Sequence, residues 1–196
     1  MSSTSTSITP KALLDTTVLC GALLTNGVNR QILYSAQLGF YQPVISNVCL
    51  LEFIRNAAEG IGNRKKKKVF DWETIDSFLN QFVFPALQDE EVTNSVVSRN
   101  SYEVIKMLTK MSSISIGDAL LKISSCTTDQ AQVIVHQYDM QLPLELFDIQ
   151  DFHVWTTAIE TRCNYIVTRN TKRFPSRIGS IVRIDPIDFI ENLGGN

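Results

Sequence analysis

The chain has 196 residues, of which 44% are hydrophobic and 19% charged, and a net charge of -2. That length buries a full core and suits one globular domain with an elaboration; no window is apolar enough to span a membrane and the N-terminus lacks the apolar stretch of a signal peptide, so a cytoplasmic protein is expected. The small negative charge gives no long-range attraction for nucleic acid, and any such binding must come from local basic patches.

In chain order, Met1 to Pro10 is rich in Ser and Thr and is expected to fray, which sets residues 1–11 apart from a single domain over 12–196. Ala12 to Leu19 is an apolar run broken by one acid, Asp15, the pattern of a buried parallel strand whose last turn exposes that acid. A carboxylate buried in such a run is costly without a partner. Gly21 to Asn29 reads as a loop, and Ile32, Leu33, Ala36 and Leu38 predict a helix after it. Gln42 to Ile45 reads as a second strand. Ser46 is placed to cap a helix in which Val48, Leu51, Ile54, Arg55 and Ala58 recur, and this puts Glu52 within its first two turns.

The middle of the chain differs. Arg64-Lys65-Lys66-Lys67-Lys68 is a basic run, more often a solvated loop than a nucleic-acid contact, with a nuclear signal as a third reading. Trp72, Ile75, Phe78, Leu79 and Phe82 follow at helical spacing, as core or an interface, until Pro85 ends the helix. Glu91 to Met111 and Gly117 to Ser125 read as helical, and Thr127 to Gln130 has the form of a capping box before a helix through Val135 to Tyr138. An all-helical insertion over about 64–144 is therefore expected.

Asp148 and Asp151 stand at the start of a further helix, with Asp151 at the N-cap position and Val154, Trp155, Ala158 and Ile159 on one apolar face. A short strand, Tyr165 to Val167, delivers Thr168 and Asn170 to its carboxyl end. Arg169, Lys172, Arg173 and Arg177 crowd around Phe174-Pro175; Ile181 to Ile184 makes a last strand, and Asp185-Pro186 opens a closing helix that Gly194 ends. Strands alternate with helices, which argues for a parallel sheet covered on both faces, with its chemistry at the carboxyl edge of the strands. Cys20, Cys49, Cys126 and Cys163 are widely spaced in or beside apolar segments and read as reduced core thiols.

Leu14-Asp15-Thr16-Thr17-Val18-Leu19, Ile45-Ser46 with Glu52, Asp148-Ile149-Gln150-Asp151, Ile166-Val167-Thr168-Arg169-Asn170 and Ile184-Asp185-Pro186 before Phe189 together resemble the PIN domain. More narrowly they resemble its branch of toxins from bacterial toxin-antitoxin pairs. The resemblance covers roughly residues 12–60 and 145–193. It implies a three-layer α/β/α fold with a central parallel sheet and a magnesium- or manganese-dependent endoribonuclease, with RNA as substrate and an antitoxin protein and a second copy of the chain as partners. Position by position it implies Asp15, Glu52 and Asp151 as catalytic acids and Asn170 at the place after the last strand. Thr17 departs from the family's usual Asp-Thr-Asn, and Asn170 stands where many members carry an aspartate.

The chemistry suits these residue types. Hard divalent cations take oxygen ligands, and several carboxylates bind them while leaving room for water and phosphate. A bound cation then makes hydroxide near neutral pH, so a chain with only His136 and His153 needs no histidine base. Asp15 and Asp151 are expected as direct ligands, Glu52 as a direct or water-mediated one, and Asp148 and Asn170 as outer groups. Thr16, Ser46 and Thr168 are candidates to hydrogen-bond those ligands. Arg169, Lys172 and Arg173 are candidates for RNA phosphate contacts. Taken alone, Asp151 reads as a cap, Asp148 as a loop acid, Glu52 as a solvated helix residue and His153 as an ordinary first-turn residue. Other reaction classes fare poorly: Thr17 breaks the Asp-x-Asp of a haloacid dehalogenase, and Gly-x-Ser-x-Gly and a phosphate-binding loop are missing. The alternative from another class is a catalytically degenerate PIN-like module that binds RNA or protein without cutting.

Overall fold

The computed structural model describes residues 9–63, 66–87, 151–170 and 176–194. Its centre is a sheet of five strands: β1 (Lys11–Leu14), β2 (Gln42–Val44), β5 (Tyr165–Val167), β6 (Arg177–Ile178) and β7 (Ile181–Ile184), in the order β2-β1-β5-β7-β6. All neighbours are parallel except β6, which pairs antiparallel with β7. The antiparallel β6 lies in a stretch that the sequence pattern leaves without a strand. A hairpin of β3 (Ile61–Asn63) and β4 (Lys66–Lys68) stands apart from this sheet.

Helices flank the sheet, an arrangement compatible with a three-layer α/β/α fold: α1 (Thr16–Leu24), α2 (Val28–Gln37), α3 (Asn47–Glu59), α4 (Trp72–Phe78), α5 (Phe152–Glu160) and α6 (Pro186–Gly194). Ala12, Leu13, Leu14, Val44, Ile166 and Val167 are buried on β1, β2 and β5, beneath Val18, Leu19, Phe53, Val154, Trp155 and Phe189 from the helices. Each such side chain stabilises the fold by about 1.5–3 kcal/mol relative to an exposed one, against the entropy of ordering it. Among the described residues no helix is long and apolar enough to cross a membrane.

The first strand is shorter than the apolar run suggests, and the predicted loop at Gly21 to Asn29 is largely helix. Asp15 caps α1, and Thr16, Val18, Leu19, Cys20, Ala22 and Leu23 are buried along it. A helix buried nearly all round has no polar stripe, so its pattern looks like that of a buried strand. Gly21 leaves room for Asn29 where α1 meets α2: a Cβ there would come within 1.9 Å of the Asn29 side-chain nitrogen, which would have to shift.

On α3 the buried residues are Cys49, Phe53 and Ala57, while Leu51 is 66% exposed. The inward face is thus rotated from the one the pattern predicts, because Ser46, Cys49 and Phe53 continue one row of side chains. Trp72 also leaves its expected face: it is 63% exposed, whereas Ile75, Phe78 and Leu79 are buried. After Phe78 the chain widens into a π-helical turn, Leu79–Val83, in which the Phe84 N–H donates to the Leu79 carbonyl at 2.9 Å. Phe78 and Phe82 there receive the Arg30 guanidinium, 4.0 Å from the Phe82 ring centre.

Lys66–Lys68 is strand, so the described start of the expected all-helical insertion is a hairpin. The remaining helices of that insertion, together with Cys126, Asp148, Lys172 and Arg173, lie outside the described residues. Cys20, Cys49 and Cys163 are buried free thiols, as core positions predict.

Candidate functional site

The strand register decides which side chains meet. Leu14, Val167 and Ile184 are paired across β1, β5 and β7, so these strands end level with one another. One residue further on, the Asp15 N–H donates to the Val167 carbonyl and the Thr168 N–H to the Ile184 carbonyl, each at 3.1 Å. Asp15 and Thr168 therefore lie side by side at the carboxyl edge.

Asp15 is 6% exposed. Its Oδ2 accepts the hydroxyls of Thr17 and Thr168, each at 2.7 Å, and the Thr17 N–H at 3.4 Å. Among the described residues Oδ1 accepts no hydrogen bond, and no lysine or arginine reaches ion-pair distance. Neutral donors orient this carboxylate, but they leave its charge uncompensated in a buried place.

A relay runs from Thr168 toward α5. The Asn170 N–H donates to the Thr168 hydroxyl at 2.9 Å, and the Asn170 side-chain amide donates to Asp151 Oδ2 at 2.6 Å. Asp151 sits at the start of α5 but makes no capping hydrogen bond with its side chain. The roles of the two aspartates are exchanged relative to their local sequence: Asp15 is the acid that caps, and Asp151 is tied across the edge to Asn170.

On the other side of Asp15, Thr16 Oγ1 donates to Glu52 Oε2 at 2.8 Å and lies 3.3 Å from the Cys49 carbonyl. Ser46 caps α3 through the Cys49 N–H at 3.1 Å, so it positions the helix that carries Glu52 without touching an acid itself. His153, which the sequence marks as an ordinary helix residue, is 6% exposed, and its Nε2 stands 3.7 Å from Glu52 Oε1. Burial lowers its pKa, while the charges of Glu52 and Asp15 oppose that shift. The only signal for it was its position two residues after Asp151, which sends its side chain inward toward α3. Arg169 is exposed at the same edge, with its N–H donating to Thr17 Oγ1 at 3.3 Å.

No protein-family model, curated protein or solved structure matches this chain. The site is read on its own geometry. Its donors are carboxylate, hydroxyl and amide oxygens, the hard set that magnesium or manganese takes. Among the described residues, however, no group of three or more His, Cys, Asp and Glu side chains is gathered closely enough to hold a metal ion. The feature that fits a cation is Asp15, a buried carboxylate with no cationic partner among the described residues.

Nearby thiols feel the same charges. Burial pushes Cys20 up to about 11 and Cys49 up to about 12, and Asp15 and Glu52 add to both shifts. Neither is a nucleophile at neutral pH.

Proposed function

We propose that the chain is a PIN-like, magnesium- or manganese-dependent endoribonuclease whose site comprises Asp15, Glu52 and Asp151, and that it is the toxin of a toxin-antitoxin pair in the cytoplasm. One observation carries this reading: the Asp15 carboxylate is buried at the carboxyl edge of a parallel sheet, fixed by two hydroxyl donors and without a cationic partner among the described residues. Burying a charge without compensation costs several kcal/mol, by an order-of-magnitude estimate, and a divalent cation removes that cost.

Asp15 and Asp151 would hold the cation, with Glu52 as a direct or water-mediated ligand and Asp148 and Asn170 as outer groups; the described acids are not gathered at ligand distance, so the cation would have to draw them together. When bound, the cation supplies an activated water and neutralises charge on the phosphoryl oxygens. Thr17 and Thr168 orient Asp15 by occupying Oδ2; Thr16 orients Glu52; Asn170 orients Asp151. Arg169, with Lys172 and Arg173, would take phosphates of the RNA.

The degenerate reading has its own support in the Asn170 amide, which donates to Asp151 where an additional acid would draw a cation in. RNA cleavage with magnesium or manganese separates the two. Wild type should cut, and Asp15→Asn and Asp151→Asn should not, with both variants folded. Unchanged activity in both variants would sink the site assignment, and an inactive wild type that binds RNA would favour the non-cutting module.

A further inference from the structure

Lys66, Lys67 and Lys68 of the basic run form a strand rather than a loop. Lys66, Lys67 and Lys68 are all exposed on β4 and pair with Asn63, Gly62 and Ile61 of β3, so no acid stands across from them. Among the described residues none of the three lysines has an ion-pair partner. Gly62 has a φ of +132°, and a Cβ there would come within 2.4 Å of the Lys66 carbonyl oxygen; a glycine is required for β3 to cross this close to the lysine strand. Lys68 lies over the Phe70 ring, 4.8 Å from its centre, and beyond it Val69 and Trp72 are each 63% exposed.

Lysines on an edge strand can serve simply to prevent strand-to-strand association. That explanation does not cover this surface. Consecutive lysines put cations on both faces of the strand, and the exposed Val69 and Trp72 beside them would encourage association rather than prevent it. Exposed cations without ion pairs among the described residues, followed four residues on by an exposed indole, are the combination that tracks a phosphate backbone and stacks a base. An acidic peptide would match the lysines, but a nucleic acid brings a planar base with every phosphate and so matches the indole as well. Asp71 and Glu73 flank Trp72 and are both local counter-charges; Asp71 also caps α4, its Oδ1 accepting the Thr74 N–H at 2.8 Å.

We propose that the β3–β4 hairpin and Trp72 form a docking surface for single-stranded RNA, in which Lys66 and Lys68, on one face of the strand, take phosphates and Trp72 takes a base. The choice of RNA rests on the ribonuclease reading, but the surface is tested by binding and not by cutting.

The experiment is fluorescence anisotropy of a short labelled oligouridine with the full chain in EDTA, over a series of salt concentrations. The combined Lys66→Gln, Lys68→Gln variant should bind at least about fivefold more weakly at low salt, with a salt slope shallower by about 1.4, since each phosphate contact on a single strand contributes about 0.7. Trp72→Ala should bind at least about fivefold more weakly with its salt slope unchanged. Circular dichroism and thermal melts check that both variants are folded; Trp72→Ala leaves the strand intact and stands if the lysine variant does not fold. The proposal is overturned by a wild type that does not bind, by folded variants within about twofold of wild type, or by polyglutamate or anionic vesicles that compete as well as RNA does. RNA that binds through the hairpin but is never cut would leave this surface standing and remove the nuclease reading alone.

Discussion

Thr168 donates its hydroxyl to Asp15 Oδ2 at 2.7 Å, joining the ends of two strands 153 positions apart in sequence. The contact exists because Leu14 and Val167 are paired in the sheet, which sets the next residue of each strand beside the other. Thr168 also accepts the Asn170 N–H, so one hydroxyl links the acid at the end of β1 to the loop that holds Asp151.

Removing that hydroxyl should be felt as lost stability. Thr168→Val keeps the shape and deletes a donor to a buried carboxylate, and a hydrogen bond to a charged group contributes about 1.5–3 kcal/mol. Thr168→Ser should recover most of the loss. Urea unfolding of the three proteins in EDTA checks this; equal midpoints would mean that Thr17 alone suffices for Asp15.

Asn170→Asp should make the fold depend on metal. The substitution replaces the amide that donates to Asp151 Oδ2 at 2.6 Å with a second carboxylate, so two like charges meet at the edge. Stability in EDTA should fall by about 1–3 kcal/mol, the cost of losing a partner at a buried polar group. Millimolar magnesium or manganese should restore it by more than it raises wild type. Thermal melts with and without the cation measure both effects, and a variant that is indifferent to metal would argue against a cation at this edge.

The Asp15→Asn substitution should uncouple stability from metal in the opposite direction. It removes a buried charge that has no cationic partner among the described residues while keeping an oxygen to accept the hydroxyls of Thr17 and Thr168. In EDTA the variant should melt at or above the wild-type temperature, and a divalent cation should no longer raise it. A large loss of stability in EDTA would show that the carboxylate itself stabilises the fold.

Alkaline pH should weaken the protein through its core thiols. Burial raises Cys20 to about 11, Cys49 to about 12 and Cys163 to about 11, all above the ordinary value of 9.0. With a raised folded pKa, the thiols' contribution is fully present below the unfolded value and is lost as pH rises through the folded one. Stability should therefore decline from about pH 9 upward, and Cys49→Ala should decline less steeply than wild type. Urea unfolding at a series of alkaline pH values gives the slopes. The same burial predicts slow labelling of these thiols by a disulfide reagent in the native protein at neutral pH, and fast labelling in urea.

Gly62→Ala should disrupt the lysine hairpin without touching the acidic edge. The new Cβ would strike the Lys66 carbonyl, and the φ of +132° suits only glycine. Amide exchange should speed up in residues 61–68, at a cost of about 1–3 kcal/mol to local structure, while the core strands keep their protection. Loss of protection throughout the sheet would show that the hairpin supports the fold.

Local chemistry alone determined much of the frame. Ser46 and Asp185-Pro186 open helices where capping and a fixed proline φ favour them, and Tyr165–Val167 and Ile181–Ile184 are strands because short apolar runs between polar ends have little other use. The place of Asp15 was also legible, since it directly follows a strand and strand ends in such folds deliver their next residues to one edge. Tertiary structure decided everything that depends on a partner distant in sequence. Thr16 and Thr17 favour strands intrinsically, yet they begin a helix because packing buries α1 on nearly every side. Asp15 and Asp151 both stand at helix starts, but Asp15, beside Val167 and Thr168, caps its helix with its side chain, while Asp151 is drawn to Asn170. His153 came to lie beside Glu52 when α5 packed near α3, and Trp72 was left outside the core at the start of α4, where Ile75 and Phe78 turn inward instead. Periodicity records how a segment divides apolar from polar; only the register of the sheet and the packing of the helices choose which polar groups then meet.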